Sequence, residues 1–259
     1  MSVLVVSGTG TEVGKTVVTA ALAALARARG TDVAVVKPAQ TGVAPGADGD
    51  LADVARLAGL DASALHEYAR YPDPLSPAAA ARHAGMPALD LGAAAGRIRE
   101  LAGEHRLVLV EGAGGLLVRF DDDGTTLADL AHDLAVPVLV VAAAGLGTLN
   151  ATALTLEVLA HRGIELAGLC IGSWPAEPDL AARCNVRDLE TLAARPLIGA
   201  LPEGAGQLDP AEFLAAAHAS LAPAYGGAFD PAAFRHAQEP GAGDVRQTSA
   251  SGLTGKDTQ

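Results

Sequence analysis

Short apolar runs separated by helical patterns recur along the chain. Six runs rich in leucine and β-branched residues are almost continuously apolar, as strands buried on both faces are; they span residues 3–7, 33–37, 107–110, 138–141, 166–171 and 197–201. Between the first two, apolar positions recur at helical spacing from Val17 to Leu25, and Gly30 is the expected stop. This alternation predicts an α/β fold, with a doubly wound, mostly parallel sheet and helices on both faces.

The same patterns divide the chain into a domain and a tail. Residues 1–225 are expected to form one domain, in which the alanine-rich stretch 51–104 is expected to be helical apart from a proline-containing loop at 71–77, and to supply no strand. From residue 226 the periodicity is lost and Gly, Pro, Ser, Thr and Gln accumulate. Because such a segment buries too little apolar surface to offset chain entropy, residues 226–259 are predicted to be a disordered C-terminal tail.

Composition and charge exclude several classes of protein. The 259 residues are 50% hydrophobic, which is enough for a sizeable core. A net charge of -12 disfavours sequence-independent binding to nucleic acid, so no nucleic-acid partner is expected. The two cysteines, Cys170 and Cys184, are too few for a disulfide framework or a four-cysteine zinc site. Small-molecule chemistry in a reducing compartment is the better interpretation.

No membrane association is expected from the sequence. The longest nearly uncharged run, residues 134–150, is broken by Pro137, Gly145 and Gly147, which leaves it below the roughly 18 apolar residues that a spanning helix needs. The N-terminus has no basic segment before its first apolar run, so a cleaved signal peptide is not expected. The predicted location is the cytoplasm.

A glycine-rich loop follows the first predicted strand and leads directly into a helix. It reads Gly8-Thr9-Gly10-Thr11-Glu12-Val13-Gly14-Lys15-Thr16, with Thr9 where the usual spacing has a glycine. In such a loop, backbone N–H groups and the helix N-terminus cradle phosphates, the lysine reaches the β- and γ-phosphates, and the hydroxyl binds Mg²⁺. The motif predicts a P-loop NTPase-like fold that binds a nucleoside triphosphate with Mg²⁺.

Two charged residues end other predicted strands. Glu111 follows the strand at 107–110, at the sheet edge where ligands bind, so its carboxylate can join Thr16 around the metal; a solvated loop glutamate is the alternative. Lys37 closes the second predicted strand, where an ammonium suits an anionic intermediate. A lysine that extends its charge into solvent is the alternative for Lys37.

Other polar residues carry less chemistry. Asp48, Asp50 and Asp53 lie near the start of the next helix, where one can face the metal, although the helix dipole alone also explains the cluster. The seven histidines are scattered without ligand-like pairing, and no Ser-His-Asp or Cys-His order indicates a nucleophile. Metal hydrolases and proteases are therefore excluded.

Four segments together resemble the dethiobiotin synthetase family. They span residues 8–16, 37–42, 110–115 and 146–150, and the resemblance extends from residue 3 to about residue 222. It implies a homodimeric, ATP- and Mg²⁺-dependent ligase of biotin biosynthesis that closes a ureido ring from 7,8-diaminononanoate and CO₂ (or bicarbonate). In that family the reaction passes through a carbamate and a carbamic-phosphoric anhydride.

The resemblance also implies roles for individual residues. Lys37, Lys15 and Thr11 are the implied catalytic residues, and Thr16, Asp50 and Glu111 are the implied metal ligands; Asp50 is preferred to Asp48 because the Leu-Ala after it matches the family's helix start. The implied nucleotide-binding residues are Glu12, Val13, Gly14, Lys15, Thr16, Val17, Asp50, Glu111, Gly112, Ala113, Gly114, Gly172, Ser173, Leu201, Pro202 and Glu203. The implied substrate-binding residues are Thr41, Ser76, Gly147, Thr148, Leu149 and Asn150, the last four in a loop that binds the substrate carboxylate across the dimer interface.

The chain departs from the family at two places. Family members commonly carry an Asn-Asp pair, which reads the adenine edge, where this chain has Gly172-Ser173-Trp174-Pro175. A missing side chain that hydrogen-bonds the base weakens discrimination between bases. Other nucleoside triphosphates such as CTP or GTP are therefore expected to support the reaction in place of ATP. The family's Ser-Pro-His is here Ser76-Pro77-Ala78, which makes Ser76 a weaker assignment.

Two other classes share parts of this pattern. Partitioning ATPases, which act through protein partners, carry a second lysine five residues before the one in Gly-Lys-Thr, a position held here by Gly10. Amidotransferase-type synthases need a further glutaminase domain with a nucleophilic cysteine, for which 259 residues are too few. The ligase is therefore the preferred interpretation.

Overall fold

A seven-stranded parallel sheet forms the centre of the computed structural model, which describes residues 2–239. The strands are β1 (Ser2–Gly8), β2 (Val33–Thr41), β3 (Leu65–Tyr71), β4 (Leu107–Gly115), β5 (Val138–Ala142), β6 (Leu166–Trp174) and β7 (Gly199–Pro202). They lie in the order β3-β2-β4-β1-β5-β6-β7 and pair in parallel throughout. The central strand β1 therefore has its loop in the crevice where the direction of winding reverses, which is where such sheets bind ligands.

Helices cover both faces of the sheet. They are α1 (Lys15–Ala28), α2 (Asp50–Ala58), α3 (Pro77–Ala84), α4 (Leu91–Glu104), α5 (Leu127–Leu134), α6 (Thr148–His161), α7 (Leu180–Ala193), α8 (Pro210–Ser220) and α9 (Pro231–Gln238). Helices α1, α2 and α8 pack on one face and the others on the opposite face. Within residues 2–239, no helix combines the length and the apolar content needed to cross a lipid bilayer.

Alternating side chains of each inner strand contribute to two separate cores. In β1, Val5 packs with the α3–α7 side, whereas Leu4 and Val6 pack with α1, α2 and α8. Because both faces of these strands are buried, their sequences are apolar at every position rather than at every second one. The predicted doubly wound α/β architecture is confirmed.

Several strands extend beyond their predicted ends. Strand β2 continues to Thr41, β4 to Gly115 and β6 to Trp174, because pairing with neighbours persists after the apolar pattern stops; Thr41, for example, still pairs with Tyr71. These extensions carry the polar residues at the carboxyl edge of the sheet, so the candidate site is built largely on strands.

The expectation that residues 51–104 supply no strand is wrong, since β3 lies within them. It is the edge strand beside β2, and its sequence, Leu65-His66-Glu67-Tyr68-Ala69-Arg70-Tyr71, has no apolar run. Edge strands need no second apolar face and commonly carry charges that prevent further pairing. Its pairing with β2, not its own pattern, identifies it as a strand.

The predicted start of the disordered tail at residue 226 is also wrong, because residues 226–239 are ordered. Phe229 is 7% exposed and belongs to the core on the α7 side, and Asp230 caps α9 by accepting bonds from Ala232 and Ala233. The eight residues of α9 are too few to show a helical period, which explains the error. The rest of the predicted tail, residues 240–259, lies outside the described residues.

We expect Phe229→Ala to lower the free energy of unfolding by about 3 kcal/mol, because it leaves a cavity in the core. The measurement is urea denaturation followed by circular dichroism. His236→Ala is the matched control on the same segment, since the His236 side chain is 86% exposed and its removal should leave the midpoint unchanged. An unchanged midpoint for Phe229→Ala would show that this segment does not stabilise the domain.

Candidate active site

The loop between β1 and α1 is shaped to receive an anion. Gly14 precedes α1 with a left-handed φ of 93°, and Glu12 adopts a positive φ of 59°, which is uncommon for a residue with a side chain. Within the described part of the chain, no side chain caps the first amides of α1, and its first turn carries no acidic residue. Free amides at a helix N-terminus are a ready anion-binding site.

Strand β6 supports this loop through a close contact between two glycines. A Cβ added to Gly14 would lie 2.5 Å from the Gly172 carbonyl oxygen, and one added to Gly172 would lie 2.0 Å from the Val13 carbonyl oxygen. Neither position has room for a side chain. The backbone of the phosphate loop therefore rests directly on the end of β6.

Lys15, the lysine of the loop, is buried at the start of α1. Its Nζ donates to the Gly10 carbonyl oxygen at 2.8 Å. Burial, and next the positive charge of Lys37, lower the pKa of Lys15. The carboxylates of Glu111 and Asp50 raise this pKa but do not outweigh the two lowering effects, which an anion in the loop would oppose by adding negative charge.

Lys37 is the centre of a buried ion cluster. It lies in β2, is 3% exposed, and its Nζ contacts Glu111 Oε1 at 2.8 Å, the Gly112 carbonyl oxygen at 3.2 Å and Asp50 Oδ2. Burial by itself lowers the pKa of Lys37, but the carboxylates of Glu111 and Asp50 outweigh it, so the net pKa is raised. Lys37 is therefore a permanent cation inside the site, not a lysine that extends into solvent.

Glu111 has no exposed surface and is shared by two donors. Its Oε1 accepts hydrogen bonds from Lys37 Nζ and from Thr16 Oγ1, each at 2.8 Å. Its Oε2 is buried without a hydrogen-bond partner among residues 2–239. A buried oxygen without a hydrogen-bond partner destabilises the folded protein unless a ligand contacts it.

Asp50, not Asp48, faces this cluster. Gln40 in β2 sets its position, because Gln40 Oε1 accepts a bond from the Asp50 N–H at 2.9 Å and so anchors the first residue of α2. Asp48 is exposed on the preceding loop, and Asp53 pairs with Arg56 on the surface. The structure thus separates three aspartates that charge and position near a helix start alone do not distinguish, and it places Asp50 at the cluster.

These residues surround one cavity of about 340 Å³. Its lining residues are Thr11, Glu12, Gly14, Lys15, Thr16, Lys37, Gln40, Thr41, Asp50, Glu111, Ala113 and Gly114. Sequence reasoning assigned no role to Gln40, although a polar residue near the end of a buried strand is a usable signal. The size and the mixed charges of the cavity suit phosphate groups, a cation and a small polar substrate.

The remaining nucleotide-binding candidates lie around this cavity but not in it. Val13 is buried, and Gly112 contributes its carbonyl oxygen to Lys37. Gly172 and Ser173 lie just before the last residue of β6, Pro202 and Glu203 lie exposed at and just after the end of β7, and Val17 faces Gly206 beyond β7. The Leu201 side chain is fully buried in the core, so only its backbone can reach a ligand.

Most of the substrate-binding candidates lie outside this cavity. Thr41 lines the cavity, whereas Ser76 is exposed at the start of α3. Residues 147–150 begin α6: Thr148 is buried and donates to the Ala143 carbonyl oxygen at 2.7 Å, while Gly147 and Asn150 are exposed. Asn150 borders an apolar groove of about 650 Å³ on the α6 side, separate from the cavity.

Comparison with known proteins identifies relatives of this chain. A family model described as an AAA domain matches residues 2–210. The chain is 67% identical over 235 residues to the ATP-dependent dethiobiotin synthetase BioD of Parafrankia sp., covering 91% of this chain and 98% of the relative, and 59% identical over 234 residues to that of Streptomyces coelicolor, covering 90% and 98%.

A solved structure with much lower sequence identity also shares the fold of this chain. The crystal structure of a ParA family ATPase from Chlorobium tepidum superposes with a TM-score of 0.50 at 16% identity, covering 80% of this chain and 87% of that one. At this identity the match concerns the fold alone, which is that of a P-loop NTPase. On its sequence similarity to relatives over nearly their whole length, this chain belongs to the ATP-dependent dethiobiotin synthetase family.

Proposed function

We propose that this protein is an ATP- and Mg²⁺-dependent cyclo-ligase that forms the ureido ring of dethiobiotin from 7,8-diaminononanoate and CO₂. The observation that carries the proposal is the cluster of buried Lys37 and Glu111 with the partly buried Asp50, in a cavity shared with the phosphate loop. This arrangement offers a fixed positive charge beside the position of a γ-phosphate. The identity to dethiobiotin synthetases over 91% of the chain supports the choice of substrate.

The residues of the cavity fit a Mg²⁺ ion bound together with a nucleotide. Thr16 Oγ1, Asp50 and Glu111 supply oxygen donors, and the unsatisfied Glu111 Oε2 is the kind of atom that a cation would satisfy. No group of three His, Cys, Asp or Glu side chains within residues 2–239 is arranged to hold a metal alone. Phosphate oxygens and water would complete the coordination, and Mg²⁺ when bound would neutralise charge on the phosphates.

The proposed reaction has three steps. One substrate amine adds to CO₂ and loses a proton to give a carbamate, a carbamate oxygen then takes the γ-phosphoryl group of ATP and releases ADP, and the second amine attacks the carbonyl carbon and releases phosphate. Lys15 and the loop amides hold the triphosphate, and Thr11 and Thr41 border the space that the carbamate would occupy. Positioning and charge stabilisation are what phosphoryl transfer mainly requires.

Lys37 acts in this proposal as an electrostatic residue and not as a base. Because its pKa is raised by Glu111 and Asp50, it stays protonated and cannot accept a proton from the attacking amine. Its charge instead favours the carbamate and the transferring phosphoryl group, both of which are anionic. The same pairing keeps Lys37 in place before substrate arrives.

We propose that the base of the nucleotide is held mainly by packing and backbone groups. Gly172 has no space for an amide side chain, because the phosphate loop lies against it, and Ser173 is exposed. The loop contacts do not depend on the base and supply much of the affinity. CTP and GTP are therefore proposed as usable phosphoryl donors beside ATP.

We propose that the protein works as a homodimer formed through α6, in the cytoplasm. This helix buries Thr152 and Thr155 against its own domain but leaves Leu154 56% exposed, beside the 47% exposed Leu117. A helix that buries threonines and exposes leucine lacks a partner on its outer face. The same face is continuous with residues 147–150, so a partner there would place that loop close to the interface.

The function is tested by measuring phosphate release from ATP. We expect release to require diaminononanoate and bicarbonate together, with dethiobiotin detected by mass spectrometry in equal amount. A switch ATPase, the alternative class, would release phosphate without either substrate. Release that ignores both compounds would overturn the ligase proposal.

We expect Lys37→Gln to lower kcat by about a hundredfold or more while the Kd for ADP changes little, because the lost charge acts mainly on the transition state. Steady-state kinetics gives kcat, and calorimetric titration gives the Kd for ADP. Binding of ADP also shows that the variant is folded. Arg82→Gln, which removes an exposed cation paired with Asp122, is the matched control and should leave kcat unchanged. An unchanged kcat in Lys37→Gln would remove Lys37 from the mechanism.

We expect Leu154→Asp to raise the dimer dissociation constant by about tenfold or more, since a charge at a buried contact is costly to bury. Sedimentation velocity over a range of concentrations gives the constant. Leu180→Asp is the matched control, because Leu180 is 50% exposed at the start of α7, away from the groove. A monomeric wild-type protein, or an unchanged constant for Leu154→Asp, would contradict the proposed interface.

A further inference from the structure

The C-terminal helix α9 contacts the strand end that supports the phosphate loop. The ring of Phe234 in α9 meets the ring of Trp174, the last residue of β6, edge to face, with centroids 5.0 Å apart and an interplanar angle of 72°. Phe229, just before the helix, lies 5.2 Å from Phe234 and is buried. The two phenylalanines and Trp174 form one aromatic cluster.

Trp174 connects this cluster to the ends of two strands. It pairs with Pro202 in β7, and its carbonyl oxygen accepts a hydrogen bond from the Glu203 N–H at 2.7 Å. Two residues earlier in the same strand, Gly172 touches the backbone of the phosphate loop. A displacement of Trp174 would therefore move residues 202–203 directly, while the glycine contact holds the loop.

A partly buried ion pair fixes α9 independently of the aromatic rings. Arg235 Nη1 contacts Glu190 Oε2 of α7 at 2.5 Å, and the side chain of Glu190 is 9% exposed. The other oxygen of Glu190 accepts a bond from the Leu197 N–H at 3.1 Å, just before β7. The helix is thus attached at two points, and Phe234 is directed at Trp174.

The charges of the cavity determine where the nucleoside can lie. Lys37, Asp50 and Glu111 lie on the β2 and β4 side of the loop, which is the side of the γ-phosphate and the metal in the proposed function. The nucleoside must then leave the loop on the other side, towards β6 and β7.

We propose that Phe234 is a positioning residue for the nucleoside half of the bound nucleotide. By holding Trp174, it fixes the ends of β6 and β7 against which the ribose and base lie, without touching the nucleotide itself. This inference rests on the proposed nucleotide site. It gives the C-terminal helix a role in substrate affinity in addition to its contribution to stability.

The experiment compares two ligands, one with a nucleoside and one without. Calorimetric titration of the full chain with the ATP analogue AMP-PNP and with inorganic tripolyphosphate, each with Mg²⁺, gives two dissociation constants. For Phe234→Ala we expect the Kd of AMP-PNP to rise about fivefold, equivalent to about 1 kcal/mol, and that of tripolyphosphate to stay within about twofold of wild type. Phe234→Tyr keeps the ring, so both dissociation constants should stay at their wild-type values.

Two controls separate positioning from general destabilisation. Ile98→Val shortens a fully buried side chain in α4 on the other half of the sheet, and His236→Ala alters an exposed side chain of α9. Neither is expected to change either Kd. Trp174 is the only tryptophan in the sequence, so its fluorescence reports directly whether Phe234→Ala changes its surroundings, as we expect.

Several outcomes would overturn the proposal. The proposal fails if Phe234→Ala leaves the Kd of AMP-PNP unchanged, or if it raises the Kd of tripolyphosphate by the same factor. It also fails if Ile98→Val raises the Kd of AMP-PNP as much as Phe234→Ala does. A wild-type protein that binds neither ligand would overturn both this inference and the nucleotide site. A wild-type protein that binds AMP-PNP but closes no ring would contradict the proposed reaction alone, and the comparison of Phe234 variants would still hold.

Discussion

A lysine buried between two carboxylates is the interaction on which the candidate site depends. An ammonium with Lys37's burial is tolerated only if opposite charges compensate its lost hydration. Glu111 from β4 and Asp50 from α2 supply them, and Thr16 from α1 bonds to the same Glu111 oxygen. Four elements are thus held together by one cluster, and each of them also brings a group to the phosphate loop. Stability and the proposed chemistry share the same charges.

A second constraint is steric and lies on the opposite side of the loop. The contact between Gly14 and Gly172 leaves no room for a side chain on either residue, which keeps the phosphate loop against β6. Through β6 the loop is connected to Trp174, and through Trp174 to α9. The charged cluster and the glycine contact therefore hold the loop from both halves of the sheet. Such rigid support suits a site that must orient phosphates and substrate together.

Helix α6 shows how little a local pattern reveals about a partner. Its apolar residues lie on more than one side, and its buried positions include Thr148, Thr152 and Thr155, while Leu154 faces outward. From the sequence the helix is simply apolar. The family resemblance implied a dimer interface near residues 147–150, but only the packing shows which face of α6 is covered by its own domain and which face is left exposed.

The sequence by itself determined the α/β class, six of the seven strands and the phosphate loop, because buried parallel strands are apolar throughout and the Gly-Lys-Thr motif is local. It also indicated Lys37 and Glu111, since polar residues that end such strands must meet at one edge. The family resemblance favoured Asp50 over Asp48 through the Leu-Ala that follows Asp50, but the sequence did not reveal Gln40, which anchors Asp50 at the cluster. It missed β3 and α9, whose identity depends on neighbours: β3 on pairing with β2, and α9 on the contact of Phe234 with Trp174. Periodicity reports which residues a segment buries, whereas the tertiary structure decides what they are buried against.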